Sequence, residues 1–177
     1  MDALRSVIAQ DGLSVPSYDA IAGAGGMSRQ LVRHYYRAGD EMAADLASRL
    51  TVELRDQVQT ALRDKPREGR IDSLLDALFA WDQAGMGAPD ERNAIECALH
   101  TMGRRSHRVR DAFAMHLDTI RHLVKEELGN SDTPPPNDAS ALADAVVAFV
   151  MARNLPGADV EGLRAAAGRL VHAQSGG

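Results

Sequence analysis

The apolar positions of this chain recur every three or four residues along most of its length, which is the spacing of an amphipathic α-helix. In the clearest run the apolar side chains lie four residues apart, at Met42, Leu46, Leu50, Leu54, Val58 and Leu62. No stretch alternates apolar and polar residues over the length of a β-strand. The pattern therefore predicts an all-α protein of about nine helices.

The helices are expected to form two domains. Residues 1–39 contain three short helical segments and predict a small head, whereas residues 40–177 predict a larger helical bundle that begins with the long helix. A polar, proline-rich linker at residues 129–138, GNSDTPPPND, precedes the last two helices. The first of these, residues 139–155, is apolar on more than one face, and the second, residues 160–173, carries a run of small residues. We expect the first helix to be buried on two sides and the second to allow close approach of another helix. Both could equally complete the core of a monomer.

The spacing within the head predicts a helix-turn-helix. In this motif a small residue allows two helices to pack closely, a glycine makes the turn between them, and a β-branched residue of the second helix fills the core. Ala22, Gly26 and Val32 stand at these positions. Further apolar contacts are expected from the neighbouring side chains Ile21, Met27 and Tyr35.

Burial of these residues leaves one face of the segment 28–37 exposed, and its polar side chains are Arg29, Gln30, Arg33, His34 and Arg37. Arginine and glutamine can pair bidentately with guanine and adenine edges in the major groove. Three hydroxyl side chains are expected to contact phosphate oxygens, which orients a protein without reading sequence: Ser17, Tyr18 and Ser28. Ser17 and Ser28 also suit the N-caps of the second and third helices. The spacing alone leaves two interpretations open, a DNA-reading helix or a solvated basic helix.

The chain is acidic overall but contains a local basic segment that could bind an anionic partner. The formal net charge is −5 and the isoelectric point is near 5.6, values that do not indicate a nucleic-acid binder. The average conceals a segment without acids between Asp19 and Asp40, which contains three arginines. Because screening limits electrostatic attraction to about 10 Å, such a local patch matters more than the total charge. A second basic run, GRRSHRVR, occupies residues 103–110 and could face DNA, the head or solvent.

Residues 17–42, SYDAIAGAGGMSRQLVRHYYRAGDEM, resemble the DNA-binding head of the tetracycline-repressor (TetR) family. The resemblance rests on Ile21-Ala22, the turn glycine Gly26, Met27-Ser28, the aromatic pair Tyr35-Tyr36 and the long helix that follows. At the level of sequence it is confined to the head, which is the first quarter of the chain. It implies a homodimeric transcriptional regulator, more often a repressor, that binds a palindromic operator in double-stranded DNA. It also implies that a small-molecule effector binds the C-terminal domain, where the last two helices pair with those of the partner.

Several positions depart from the family pattern. Gly39 stands where the family commonly has a phosphate-contacting lysine, and Arg33 replaces a tyrosine common in the recognition helix. Tyr36 replaces the usual phenylalanine, and Gly25 the usual alanine. We therefore expect DNA contacts that are distributed differently from those of most relatives.

The expected effector pocket would be built from side chains that bring polar tips or adaptable surface into apolar helix faces. The candidates in the larger domain are Phe79, Trp81, Met86, His100, Met102, Phe113, Met115 and His116. Each of them is also a suitable residue for an ordinary helical core. An alternative function remains open, in which a helical dimer binds a hydrophobic ligand or a protein partner without specific DNA binding.

Other classes of protein find little support in the sequence. No phosphate-binding glycine loop, Gly-x-Ser-x-Gly motif or nucleophile with a nearby base is present, so no enzymatic activity and no cofactor are expected. Cys97 and His100 have the spacing of two metal ligands, but nothing completes a zinc site. With one cysteine, no signal peptide and no apolar run of about 20 residues, the chain is expected to be soluble and cytoplasmic, without a membrane partner.

Overall fold

The computed structural model describes residues 2–11, 16–79, 89–129, 138–155 and 157–175. Within these ranges the chain forms nine α-helices, one short 3-10 helix at Arg67–Gly69 and no β-strand. The α-helices are α1 (Asp2–Asp11), α2 (Tyr18–Gly25), α3 (Arg29–Tyr35), α4 (Gly39–Leu62), α5 (Arg70–Phe79), α6 (Pro89–Gly103), α7 (His107–Gly129), α8 (Ala139–Ala152) and α9 (Val160–Ser175). The predicted all-α fold is confirmed.

Packing divides the chain into two compact units. The first unit consists of Met1–Val52 and Met86–His116, and it includes the predicted head. In this unit α1 packs against both α2 and α6. Its core is built from aliphatic side chains spaced three or four apart along these helices, among them Leu4, Val7, Ile8, Ile21, Val32, Met42, Leu46, Leu50, Ile95 and Leu99. The amphipathic periodicity read from the sequence therefore corresponds to a real buried face.

The second unit consists of Glu53–Gly85 and Leu117–Gly177. Its helix α9 packs against α5 and α8. Leu54, Leu74, Val124, Val146 and Ala167 represent its core, and each is 1% exposed or less. Most of the expected linker, residues 130–137, lies outside the described part of the chain.

Ion pairs join the helices of the second unit at the edge of its core. Arg70 binds the buried carboxylate of Glu127 through two hydrogen bonds of 2.8 Å, which raises the pKa of the guanidinium further. Arg164 on α9 contacts Asp76 on α5 at 2.7 Å. The side chain of Arg153, which is 5% exposed, donates a hydrogen bond to the carbonyl of Leu78. These contacts fix the polar side chains that surround the apolar core.

Candidate nucleic-acid interface

Two serine caps and one glycine define the geometry of the head. The Ser17 Oγ accepts a hydrogen bond from the amide of Ala20 at 3.1 Å, and the Ser28 Oγ accepts one from the amide of Leu31 at the same distance. Between the two helices, Gly26 has a φ of 61°, a left-handed conformation that is inexpensive only without a Cβ. The predicted N-caps and turn glycine are confirmed.

The second helix of the motif, α3, has one buried side chain, Val32, which is 4% exposed. The predicted outward residues are all exposed: Arg29, Gln30, Arg33, His34 and Arg37. The helix therefore has the predicted polar face, and the sequence assigned its core residue correctly. Whether these side chains contact DNA remains a prediction.

Asp19 on α2 forms an ion pair with Arg29 on α3, with an N–O distance of 3.1 Å between two exposed side chains. This pair neutralises part of the basic face in the absence of DNA. The carboxylate engages one nitrogen of the guanidinium and lowers the net positive charge that Arg29 presents to an anionic ligand.

The guanidinium carbon of Arg33 lies 5.9 Å from the ring centroid of Tyr18, within the range of a cation–π contact. The hydroxyl oxygen of Tyr18 is buried and has no hydrogen-bond partner among the described residues. In this arrangement the ring of Tyr18 supports Arg33, and its hydroxyl would have to move to reach a phosphate. The tyrosine thus positions an arginine, a role that the sequence did not indicate.

The expectation that Tyr35 packs in the head core is wrong, because its side chain is 71% exposed and contacts the ring of His34 edge-on at 5.4 Å. The next aromatic residue, Tyr36, is the partly buried one. Met27, also expected in the core, is 40% exposed. It covers Gly25, where an added Cβ would lie only 2.6 Å from the Met27 Cε. An alanine at this position would therefore require the flexible end of the Met27 side chain to move.

Polar contacts tie the end of α3 to the start of α4. The Tyr36 hydroxyl donates a 2.6 Å hydrogen bond to the Asp45 Oδ2. The Glu41 carboxylate accepts hydrogen bonds from the backbone amides of Arg37, at 2.7 Å, and Ala38, at 3.4 Å. The Arg37 amide is the main reason that the pKa of Glu41 lies below its usual value. Gly39 begins α4, so no side chain at that position reaches toward a phosphate.

The basic run at residues 103–110 contacts the start of α4. Arg108 forms an ion pair with Glu41 at 2.8 Å, and the Ser106 Oγ donates a hydrogen bond to the Asp40 Oδ2 at 2.9 Å. Of the three interpretations left open by the sequence, this part of the run supports contact with the protein itself. The carboxylate of Glu41 is thus shared between the backbone that leaves α3 and the first turn of α7.

The structure brings together only some of the residues predicted to form the effector pocket. The rings of His100, Phe113 and His116 form a cluster in the first unit, with centroid distances of 6.3 Å for His100–Phe113 and 5.9 Å for Phe113–His116. Met102 is buried in the same unit, Met115 is 67% exposed, and Phe79 belongs to the core of the second unit. Trp81 and Met86 lie outside the described residues.

A buried polar group beside these rings was missed at the level of sequence. Arg92 and Glu96 on α6 are 3% and 1% exposed and form an ion pair at 2.9 Å. The His116 Nε2 lies 3.7 Å from the Glu96 Oε1, and the His116 Nδ1 lies 3.3 Å from the Thr51 Oγ1. The i,i+4 spacing of Arg92 and Glu96 predicts an ion pair. Their burial depends on the packing of three helices, which no local pattern reports.

Within the described ranges, no helix is long and apolar enough to cross a bilayer. No group of three or more His, Cys, Asp or Glu side chains among the same residues could hold a metal ion. Cys97 is partly buried.

The chain is similar in sequence to a transcriptional regulator. No protein-family model matches the chain. The chain is 27% identical over 152 residues to the HTH-type transcriptional regulator BetI of Rhizobium meliloti (strain 1021), a match that covers 85% of this chain and 71% of that protein.

Three solved structures share the fold over nearly the whole chain. A structure described as a transcriptional regulator of Rhodococcus sp. Rha1 has a TM-score of 0.76 at 22% identity and covers 98% of this chain and 92% of its own. A regulator from Pseudomonas aeruginosa PAO1 has a TM-score of 0.75 at 17% identity, over 99% of this chain and 88% of its own. A TetR-family regulator from Rhodococcus sp. has a TM-score of 0.65 at 12% identity, over 98% of this chain and 97% of its own. The resemblance predicted from residues 17–42 is thereby confirmed, and the chain has the all-α fold of the TetR family of transcriptional regulators.

Proposed function

We propose that this protein is a homodimeric transcriptional regulator that binds a palindromic operator through α3 and releases or engages it in response to a small molecule. The observation that carries the proposal is the exposed polar face of α3, where Arg29, Gln30 and Arg33 project from a helix anchored by Val32, with the exposed Arg37 just beyond the end of the helix. Such a helix presents bidentate hydrogen-bond donors at the spacing needed to enter a major groove. The similarity to transcriptional regulators supports the same role.

The proposal of a dimer follows from the geometry of DNA reading and from the surface of the last two helices. A single short recognition helix contacts few base pairs, so proteins of this kind bind two half-sites about one helical turn apart. On α8 and α9, Ala145, Phe149, Ala165, Ala166 and Leu170 are only half-buried within the chain. Small and apolar side chains at such positions favour close packing against the same helices of a second copy.

The proposed effector site is the ring cluster of His100, Phe113 and His116 with the neighbouring ion pair of Arg92 and Glu96. Aromatic surface beside buried polar groups is the usual composition of a small-molecule pocket. A ligand there can change operator affinity only if it binds one conformation more tightly than the other. We propose that this preference alters the spacing of the two heads. A thermal-shift screen against hydrophobic metabolites and drugs, repeated with Phe113→Ala, would identify ligands that depend on the cluster.

Selection of bound sequences from a random DNA pool at moderate salt tests the proposed function. We expect an enriched palindrome for the unmodified protein and loss of enrichment for the double variant Gln30→Ala/Arg33→Ala. A matched control is Arg63→Ala, which removes an exposed arginine just after α4 and should leave the enriched sequence unchanged. If the unmodified protein enriches no sequence, the protein does not read an operator, and the helical dimer that binds a ligand or protein partner becomes the better account.

A further inference from the structure

The head exposes an unusual amount of apolar surface on one side of its recognition helix. Among the described residues, six large hydrophobic side chains are exposed, and three of them are Met27, Leu31 and Tyr35. They are spaced four residues apart, and they are 40%, 44% and 71% exposed, respectively. Met27 precedes the N-cap of α3, whereas Leu31 and Tyr35 lie one turn apart on the same side of the helix. Isolated exposed hydrophobic residues are common, but neighbouring ones on one helix edge are a candidate contact surface.

The position of Leu31 on α3 follows from the helix period and from the burial of Val32. Successive residues are rotated by about 100° around an α-helix, so Leu31 and Arg33 flank Val32 on opposite sides. Gln30 and His34 then lie nearly opposite Val32, at the centre of the outward face. The recognition helix therefore has a cationic edge at Arg33, a polar centre, and an apolar edge at Leu31.

The backbone of Leu31 is held by the cap of α3. The amide of Leu31 donates its hydrogen bond to the Ser28 Oγ at 3.1 Å and a further one to the Ser28 carbonyl at 3.0 Å. These bonds set the first turn of the helix before any partner binds. The backbone position from which the leucine side chain projects is thus set within the first turn of α3.

We propose that Leu31 reads thymine, by packing its side chain against the 5-methyl group of a thymine in each operator half-site. This inference rests on the proposed DNA-binding function. The 5-methyl group of thymine is the apolar feature that a base pair presents in the major groove, and apolar side chains are the usual contacts for it. The arginines of the same helix supply the attraction to phosphates that brings this apolar edge into a groove.

Replacement of thymine by deoxyuridine tests the proposal, because it removes only the methyl group and keeps every hydrogen bond of the base pair. Each thymine of the selected operator is replaced in turn, and the dissociation constant is measured by fluorescence anisotropy with the unmodified protein. Burial of one methyl group is worth about 0.8 kcal/mol, so one such substitution should weaken binding about fourfold and a pair in both half-sites about 15-fold. The loss should occur at one thymine position per half-site.

Variants then assign the effect to Leu31. Leu31→Ala should weaken binding to the thymine operator and bind the uracil operator with no further loss, whereas Val52→Ala, another exposed apolar residue, should retain the full uracil effect. Thermal unfolding of each variant checks that the head remains folded. The deoxyuridine measurements on the unmodified protein do not depend on the variants. An operator that tolerates uracil everywhere, or a Leu31→Ala protein that keeps the uracil loss, overturns the thymine contact alone. Failure to select any operator overturns the proposed function and the contact with it.

Discussion

The hydroxyl of Tyr36 donates a hydrogen bond of 2.6 Å to the carboxylate of Asp45 and so joins the residue that ends the recognition helix to the second turn of α4. The Glu41 carboxylate binds the amides of the two residues that follow Tyr36. Together these contacts hold the connection between the end of α3 and the start of α4. Three predictions concern this junction directly.

Removal of the tyrosine hydroxyl should weaken the junction. Tyr36→Phe keeps the ring and deletes one hydrogen bond to a charged acceptor that is partly solvated, so the free energy of unfolding should fall by about 1 kcal/mol. Chemical denaturation of the two proteins measures this difference. Tyr35→Phe is the matched control, because Tyr35 is exposed and its variant should unfold like the unmodified protein.

The same contact predicts a late phenol titration. Burial and the hydrogen bond to Asp45 raise the pKa of Tyr36 from 10.0 to about 12. The folded state therefore favours the neutral phenol, and its stabilising effect is complete below pH 10 and lost as the pH rises from 10 to 12. Absorbance at alkaline pH should show one of the three tyrosines ionising late, and that phase should be missing in Tyr36→Phe. Three tyrosines that titrate together would contradict the contact.

Glu41 should make the stability of the protein depend on acidic pH. The amide of Arg37, and then other contacts that include Arg108, lower the pKa of this carboxyl below 4.5 in the folded state. A lowered folded pKa means that the stabilisation is present above the unfolded pKa and is lost as the pH falls through the folded one. Glu41→Gln should therefore be less stable at neutral pH and lose less stability on acidification. Thermal unfolding between pH 3 and pH 7 measures both effects, with Glu161→Gln as a control that removes the same charge from α9. A Glu41→Gln profile parallel to that of the unmodified protein would rule out this role.

Arg33 is expected to contribute to base recognition. Arg33→Ala should weaken operator binding by about 1–3 kcal/mol and relax the preference at one base position. Binding titrations on the operator and on random DNA distinguish a base contact from a phosphate contact. An equal loss on both DNAs would show that Arg33 binds only the backbone.

Asp19 is expected to restrain binding to arbitrary DNA through its ion pair with Arg29. Asp19→Asn frees the guanidinium and removes a negative charge from the head, so affinity for random DNA should rise about twofold to fivefold, as expected for an exposed ion pair. Discrimination between operator and random DNA should fall. Asp56→Asn, an equal charge change on α4, serves as the control. Unchanged affinity of Asp19→Asn for random DNA would show that the ion pair does not compete with phosphates.

Local features of the head could be predicted from the sequence because their causes are local. Ser17 and Ser28 cap helices through bonds to amides three residues away, and Gly26 makes a turn that requires positive φ. Val32 was identified as a core residue because the two helices of a helix-turn-helix pack in a constrained way. The period of apolar residues was sufficient for the long helix α4.

The remaining features depend on neighbours distant in sequence. The periodicity does not distinguish Tyr35 from Tyr36, and only the position of Asp45 on α4 decides which ring is fixed. Arg92 and Glu96 are charged residues that a sequence pattern assigns to the surface, yet each is nearly fully buried beside His116. Their burial follows from the packing of α4, α6 and α7, which is not encoded in any one segment.

The ratio of the dissociation constants for random DNA and for the selected operator, measured at about 0.15 M salt, tests the central claim most directly. The account predicts a ratio of about 10³ or more for the unmodified protein, as is typical of specific DNA-binding proteins, and a sharp reduction for Gln30→Ala/Arg33→Ala. Sedimentation of the operator complex should give two chains of 19.0 kDa per duplex. A ratio near one for the unmodified protein would contradict the proposal that α3 reads DNA sequence.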